Sequence, residues 1–289
     1  MTSGIDWRAK LSAWARLMRL DRPIGIWLLL WPTLWALWFA ADGRPDPGIL
    51  AVFVAGVVVM RSAGCVINDF ADRRFDPHVA RTRTRPLATG EATPGEALAL
   101  FGLLLLVAFG LVRLLDARVL PLALVAAVLA TVYPFTKRFT HLPQVVLGAA
   151  FSMSIPMAFA AQAGSVPRLA WLLFVTNLLW TVAYDTEYAM ADREDDLRIG
   201  VKSTAILFGE ADRAVIAALQ GLTLLGLALA GRLSGRGLAY WMGLLVAAGL
   251  FFHQQYRIRH REPQAAFQAF LENHWVGAAV FAGLLLDML

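Results

Sequence analysis

The chain has 289 residues, of which 58% are hydrophobic and only 16% charged, and it carries ten tryptophans. Too little polar surface remains to clothe one or two water-soluble domains, so the composition places the chain in a membrane. The net charge of +5 speaks for cytoplasmic loops rather than nucleic acid, because excess Lys and Arg mark topology in membrane proteins, and the single cysteine, Cys65, excludes an intrachain disulfide or a thiolate metal cluster.

The leader before Asp21 is short, holds Asp6 and has only two serines, which makes it a poor transit peptide. The first apolar run carries Trp27, Trp31, Trp35 and Trp38 and outlasts a cleavable signal, whose apolar region is about 7–15 residues. It reads as the first span. A spanning helix needs about 20 mostly apolar residues, and nine segments qualify: 24–41, 48–69, 95–114, 118–136, 143–162, 168–188, 212–231, 236–256 and 267–286. Inside hydrocarbon every backbone N–H and C=O must be satisfied, and the runs are too long and unalternating for barrel strands, so all nine are expected as helices. The expectation is an all-α integral membrane protein, a single domain over residues 1–289.

With a cytoplasmic amino terminus, twenty of the 26 Lys and Arg fall inside and six outside. That bias supports nine spans with the carboxyl end outside, and it turns every long charged connector toward the cytoplasm. Arg61, almost alone as a charge in its apolar run, is counted among these topology-setting residues, as are Arg81, Arg83 and Arg85.

The connectors after the second and sixth segments are acidic at a helical beat. At about 100° per residue, Asn68, Asp72 and Asp76 fall on one stripe. In YDTEYAMADREDD, Asp185, Tyr188, Asp192 and Asp196 share a narrow arc by the same arithmetic. Carboxylates so close repel, and near lipid each costs on the order of 3 kcal/mol, so a compensating cation is required. Magnesium fits, since it takes oxygen ligands and is commonly held by one or two carboxylates plus substrate phosphates. Arg73, Arg74, Arg193, Arg198 and Lys202 stand near enough in sequence to contact a diphosphate clamped between two such stripes. A diphosphate with a long apolar tail suits a cluster at the mouth of a membrane bundle, and metal coordination would make its diphosphate a leaving group.

The remaining candidates receive plainer readings. Trp27, Trp31 and Trp35 form a packing or lipid-facing stripe, and His78, His141, His253, His260 and His274 show no i, i+4 pairing for a transition metal. A cation-coupled transporter is the alternative from another class, because acids at membrane depth also mark ion pathways. Against it, these acids mix with bases at one side, and no matching pair of broken helices points at the midplane.

Five stretches resemble the UbiA family of intramembrane aromatic prenyltransferases: LMRLDRPIGIWLLLWPTLWALW (17–38), GCVINDFADRRFDPHVARTRTRPLA (64–88), YPFTKRFTHLPQVVLGAAF (133–151), AYDTEYAMADREDDLRIGVKSTAILFG (183–209) and FLENHWVG (270–277). Together they cover about a third of the chain. The resemblance implies nine helices around a central cavity in the bacterial inner membrane, with cytoplasmic caps from residues 77–92 and 194–208. It implies Asn68, Asp72 and Asp76 as the first metal-diphosphate motif and Asp192 and Asp196 as the second, with Asp185 and Tyr188 lining the same cavity. Within the family it is similar to the members that act on 4-hydroxybenzoate in ubiquinone biosynthesis, with polyprenyl diphosphate as donor; other members take other aromatic acceptors. A benzoate acceptor needs a cation for its carboxylate, and Arg138, with Lys137 and Lys202 behind it, is the residue expected to supply it.

Overall fold

The computed structural model describes residues 6–79 and 81–289. Among them 81% of the chain is helix, with no strand. The helices are α1 (Trp7–Leu17), α2 (Ile24–Ala40), α3 (Pro47–Asp72), α4 (Pro86–Thr89), α5 (Pro94–Val112), α6 (Val119–Thr136), α7 (Pro143–Ser152), α8 (Ser154–Ala163), α9 (Arg168–Ile199), α10 (Thr204–Phe208), α11 (Asp212–Leu233), α12 (Leu238–Arg257) and α13 (Pro263–Asp287).

Local chemistry sets the boundaries. Asp46 accepts the Ile49 N–H at the start of α3, with Pro47 in the first turn, and Thr93 with Glu96 closes a capping box on α5. At the far end of α9, Gly200 takes the left-handed conformation (φ +72°) that stops a helix. The α3 helix ends at Asp72 because Pro77 has no N–H to continue the ladder and its ring would strike the carbonyl four residues back. Asp76 therefore opens a separate 3₁₀ turn, Asp76–His78, and does not extend the α3 stripe as the spacing predicts.

Among the described residues seven helical stretches are long and apolar enough to cross a membrane, including the consecutive pair α7–α8, which breaks at Met153 within the expected 143–162 segment. The apolar α2 is shorter, at 17 residues. Leu103, Leu106, Phe109 and Val128 stand exposed on α5 and α6, an apolar surface that only lipid would cover in a membrane protein of this kind. The protein is an integral membrane protein.

At its centre, α9 packs along α7, α11 and α13. Trp35 stacks on Trp180 at 5.3 Å and Trp180 meets Tyr184 edge-on. Hydrocarbon gives helices no hydrophobic reason to associate, so close packing and hydrogen bonds must hold them. Both are present. Trp180 Nε1 donates to Asn273 Oδ1 at 2.9 Å, Asn273 Nδ2 donates to Glu187 Oε2 at 2.8 Å, and Gln220 Nε2 donates to Gln254 Oε1 at 2.9 Å. Ala239 and Gly243 on α12 face Ala279 and Gly283 on α13, where a Cβ on Gly243 would lie 2.7 Å from the Ala279 carbonyl oxygen. That neighbour is backbone and cannot yield. Gly243→Val is accordingly expected to destabilise the bundle by about 1–3 kcal/mol, read as a lowered Tm in detergent, whereas Gly249→Ala, which meets no neighbour within 4 Å, should hold or slightly raise Tm because alanine suits a helix better than glycine.

Candidate active site

One end of the bundle gathers the last turns of α3, α6 and α9 with the first turns of α2 and α7. They enclose a polar chamber of ≈ 120 Å³ lined by Asn68, Asp72 and Asp76 on one side and Asp185, Asp192 and Asp196 on the other. The chamber adjoins a larger cavity of ≈ 480 Å³ whose walls include Leu28, Val57, Leu124, Phe151 and Met157. Asn68, Arg81, Arg85, Tyr133, Asp185 and Tyr188 line both spaces. A polar head and an apolar tail of one molecule would thus find continuous room.

Charge at this end is neutralised by side chains. Lys137 Nζ pairs with Asp72 Oδ2, which also receives the Asn68 amide at 3.3 Å, while Asp72 Oδ1 is buried without a partner. Arg85 contacts Asp69 and Asp76, each at 3.0 Å, and Arg19 grips Asp69 at 2.8 Å from the other side. Arg81 Nε reaches Asp192 at 3.0 Å while its guanidinium lies 4.5 Å from the centre of the Tyr188 ring. Burial pushes the Asp76 carboxyl up to about 6; Arg85 pulls against that, and Asp69 and Asp72 add to it. The chamber is an acid cluster held together by cations borrowed from its own loops.

The two acidic segments meet here, Asp185, Tyr188, Asp192 and Asp196 all riding on the unbroken α9. The expected phosphate cations separate. Lys202 lines the chamber, its Nζ donating to the Phe139 carbonyl at 3.2 Å. Arg73 turns back onto the Phe70 carbonyl and ring, Arg74 is exposed, and Arg193 is drawn to Asp212 and the Ala205 carbonyl. Arg198 pairs with Asp195 and Glu194 at the surface. Arg138, expected at the aromatic substrate, donates to the Ala71 carbonyl at 2.6 Å between Phe75 and Phe135 and lines neither space. The reason is shared: adjacent residues on a helix end face different ways, so nearness in sequence to Asp72, Lys137 or Asp192 does not carry a side chain into the chamber.

Arg81 and Arg85, read from sequence as topology residues, do enter it, while Asp69 lines the adjoining cavity. Their signal was weak, because residues 81–84 form turns in which spacing carries no facing rule. Arg61 was more legible: a charge inside an apolar span is a functional candidate by default, and it lies two turns before Asn68 on α3. Its guanidinium lines the larger cavity, its Nη1 donating to Cys65 Sγ at 2.9 Å and its Nε lacking any partner.

The model of the UbiA prenyltransferase family matches residues 29–282. The chain belongs to the UbiA family. It is 60% identical over 282 residues to a 4-hydroxybenzoate octaprenyltransferase of Saccharophagus degradans, covering 98% of this chain and 94% of that one. It is 62% identical over 272 residues to the 4-hydroxybenzoate octaprenyltransferase of Azotobacter vinelandii, covering 94% and 92%. Among solved structures, a UbiA homolog from Aeropyrum pernix K1 superposes with a TM-score of 0.78 at 25% identity, covering 89% of this chain and 98% of that one. A UbiA homolog from Archaeoglobus fulgidus bound to GPP and Mg2+ shares the fold with a TM-score of 0.75 at 18% identity, covering 96% and 99%.

For a divalent cation of this family the donor set fits in kind. It is all oxygen, as a hard ion requires, and Asp72 Oδ1 is a buried acceptor with nothing to accept from. Among the described residues no three acids converge as one metal cluster. Removing the shared cation tests how far the acids depend on it. Arg85→Ala leaves Asp69 and Asp76 buried without their common partner and is expected to cost on the order of 3 kcal/mol, seen as a Tm drop that Arg85→Lys recovers in part.

Proposed function

We propose that the chain transfers a polyprenyl group from polyprenyl diphosphate to the ring carbon ortho to the hydroxyl of 4-hydroxybenzoate, releasing diphosphate, as a step of ubiquinone biosynthesis. The observation that carries this reading is the junction of a chamber lined by both acidic segments with an apolar cavity. Relatives about 60% identical over nearly the full chain bear the name of that activity. The bundle is read as one domain of nine spans, the seven long apolar stretches joined by α2 and α12, with the amino terminus cytoplasmic and the carboxyl end outside. Of the expected caps, residues 77–79 and 81–92 with α4, residue 80 lying outside the described residues, and 194–208 with α10 are read as covering the chamber, which opens to the cytoplasmic side of the bacterial inner membrane.

When bound, Mg2+ supplies the positive charge that makes diphosphate a good leaving group. Asn68, Asp72 and Asp76 would hold it from one side, Asp192 and Asp196 from the other. The cations assigned to diphosphate are those lining the chamber, Arg81, Arg85, Lys137 and Lys202; the orientations of Arg73, Arg74, Arg193 and Arg198 do not support that role. Cleavage of the C–O bond leaves an allylic cation on the tail, and the surrounding apolar walls keep water from it. The face of Tyr188 that holds the Arg81 guanidinium suits such a cation equally well. Arg61, a guanidinium in the cavity wall with no ion pair among the described residues, replaces Arg138 as the partner of the acceptor carboxylate. Asp185 lines both spaces and is likewise without an ion pair among the described residues, which makes its carboxylate available to accept the proton the ring carbon releases.

Purified protein given Mg2+, 4-hydroxybenzoate and donors of several lengths should yield a prenylated 4-hydroxybenzoate by mass spectrometry, and EDTA should abolish it. Asp72→Ala and Asp192→Ala are each expected to cut turnover about a thousandfold or more, in the range of losing an electrostatic clamp on a leaving group, while the protein still inserts. Near-normal turnover in either variant would exclude the clamp.

A further inference from the structure

We infer that Gly25 is a specificity-determining residue for the acceptor, because its missing side chain leaves the slot that aims the Arg61 guanidinium into the cavity. The inference rests on the reading of Arg61 as the partner of the acceptor carboxylate. Gly25 sits in the first turn of α2, buried, where α2 and α3 meet at the cavity wall. A Cβ built on it would lie 2.5 Å from Arg61 Cζ and closer still to Nε and Nη2. The guanidinium therefore lies directly against the glycine backbone. On its other sides it has Cys65 Sγ, 2.9 Å from Nη1, and the Phe151 ring, whose centre is 5.9 Å from Cζ.

Nothing in the local backbone asks for glycine here. Gly25 is not among the positive-φ residues, and glycine within a helix is about 1 kcal/mol less favourable than alanine. The guanidinium is the one neighbour that a Cβ would meet within 4 Å among its three nearest atoms. Held in that slot, with Nη1 on Cys65 Sγ and Nε buried without a partner, Arg61 keeps a guanidinium in an apolar cavity wall, the group best suited to pair with a carboxylate. A methyl at 25 meets the far end of a flexible arginine first, so Gly25→Ala is expected to shift the guanidinium while the bundle keeps its fold.

Steady-state kinetics of the full chain in detergent test this, with 4-hydroxybenzoate and its neutral amide as acceptors. Gly25→Ala is expected to raise KM for 4-hydroxybenzoate about tenfold or more, the size of a lost hydrogen bond to a charged group. KM for the prenyl donor and Tm should stay unchanged, and preference for the acid over the amide should fall. Gly25→Ala combined with Arg61→Lys should recover part of that preference, since a slim ammonium clears the new methyl. An unchanged acceptor KM in Gly25→Ala, or donor and acceptor KM rising together, overturns the role of Gly25. If Gly25→Ala unfolds, adding Arg61→Ala must restore Tm, and failure to do so also overturns it. Arg61→Ala separates the two levels: an unchanged acceptor KM there refutes the carboxylate reading itself, whereas a raised one beside an unaffected Gly25→Ala refutes only the present inference.

Discussion

Carboxylates at the end of a membrane bundle cannot be left alone. Six acids crowd around one chamber and its rim, Asp69, Asp72, Asp76, Asp185, Asp192 and Asp196, and water reaches them poorly. An isolated buried charge costs several kcal/mol, whereas a charge paired in good geometry roughly recovers that cost. The protein answers with guanidinium and ammonium groups from separate segments: Arg19 after α1, Arg81 and Arg85 from the loop after α3, and Lys137 after α6. Those pairs tie the loops to the helix ends. The same contacts that stabilise the bundle therefore hold the cations beside the acids, where an incoming anion could meet them.

Such a site works only if the acids stay in register, and α9 supplies the rigidity. Its cavity face carries Asp185, Tyr188 and Asp192, while its opposite face buries Glu187 against Asn273 and Gln220. Hydrogen bonds of this kind between helices, together with the stacked Trp35 and Trp180, fix the rotation of α9 about its axis. A helix of 32 residues is about 48 Å long, more than a bilayer core needs, so it carries its acidic end out toward the interface as one rigid element.

The two spaces differ in wall chemistry but share six residues at their junction. That continuity favours an amphiphile with an anionic head over either a small polar solute or a pure lipid. A lone arginine, Arg61, stands in the same cavity wall as Asp185, its guanidinium donating to Cys65 Sγ.

The sequence by itself determined the membrane class, the all-helical character and the two acidic segments, because hydrocarbon demands long apolar helices and because a four-residue acid beat on a helix fixes which way those acids face. Asp185, Tyr188, Asp192 and Asp196 were legible for that reason. Asp76 was assigned to the right neighbourhood through the wrong geometry, since Pro77 ends the helix that the spacing assumed. Only the tertiary structure decided which cations face the chamber. Arg73 and Arg193 adjoin acids in sequence yet turn to other partners, while Arg81 and Arg85 arrive from a turn with no periodicity. Helical facing is a local property that a sequence records; the meeting of a loop with a distant helix end is set by packing, and so is the space over Gly25 that admits Arg61.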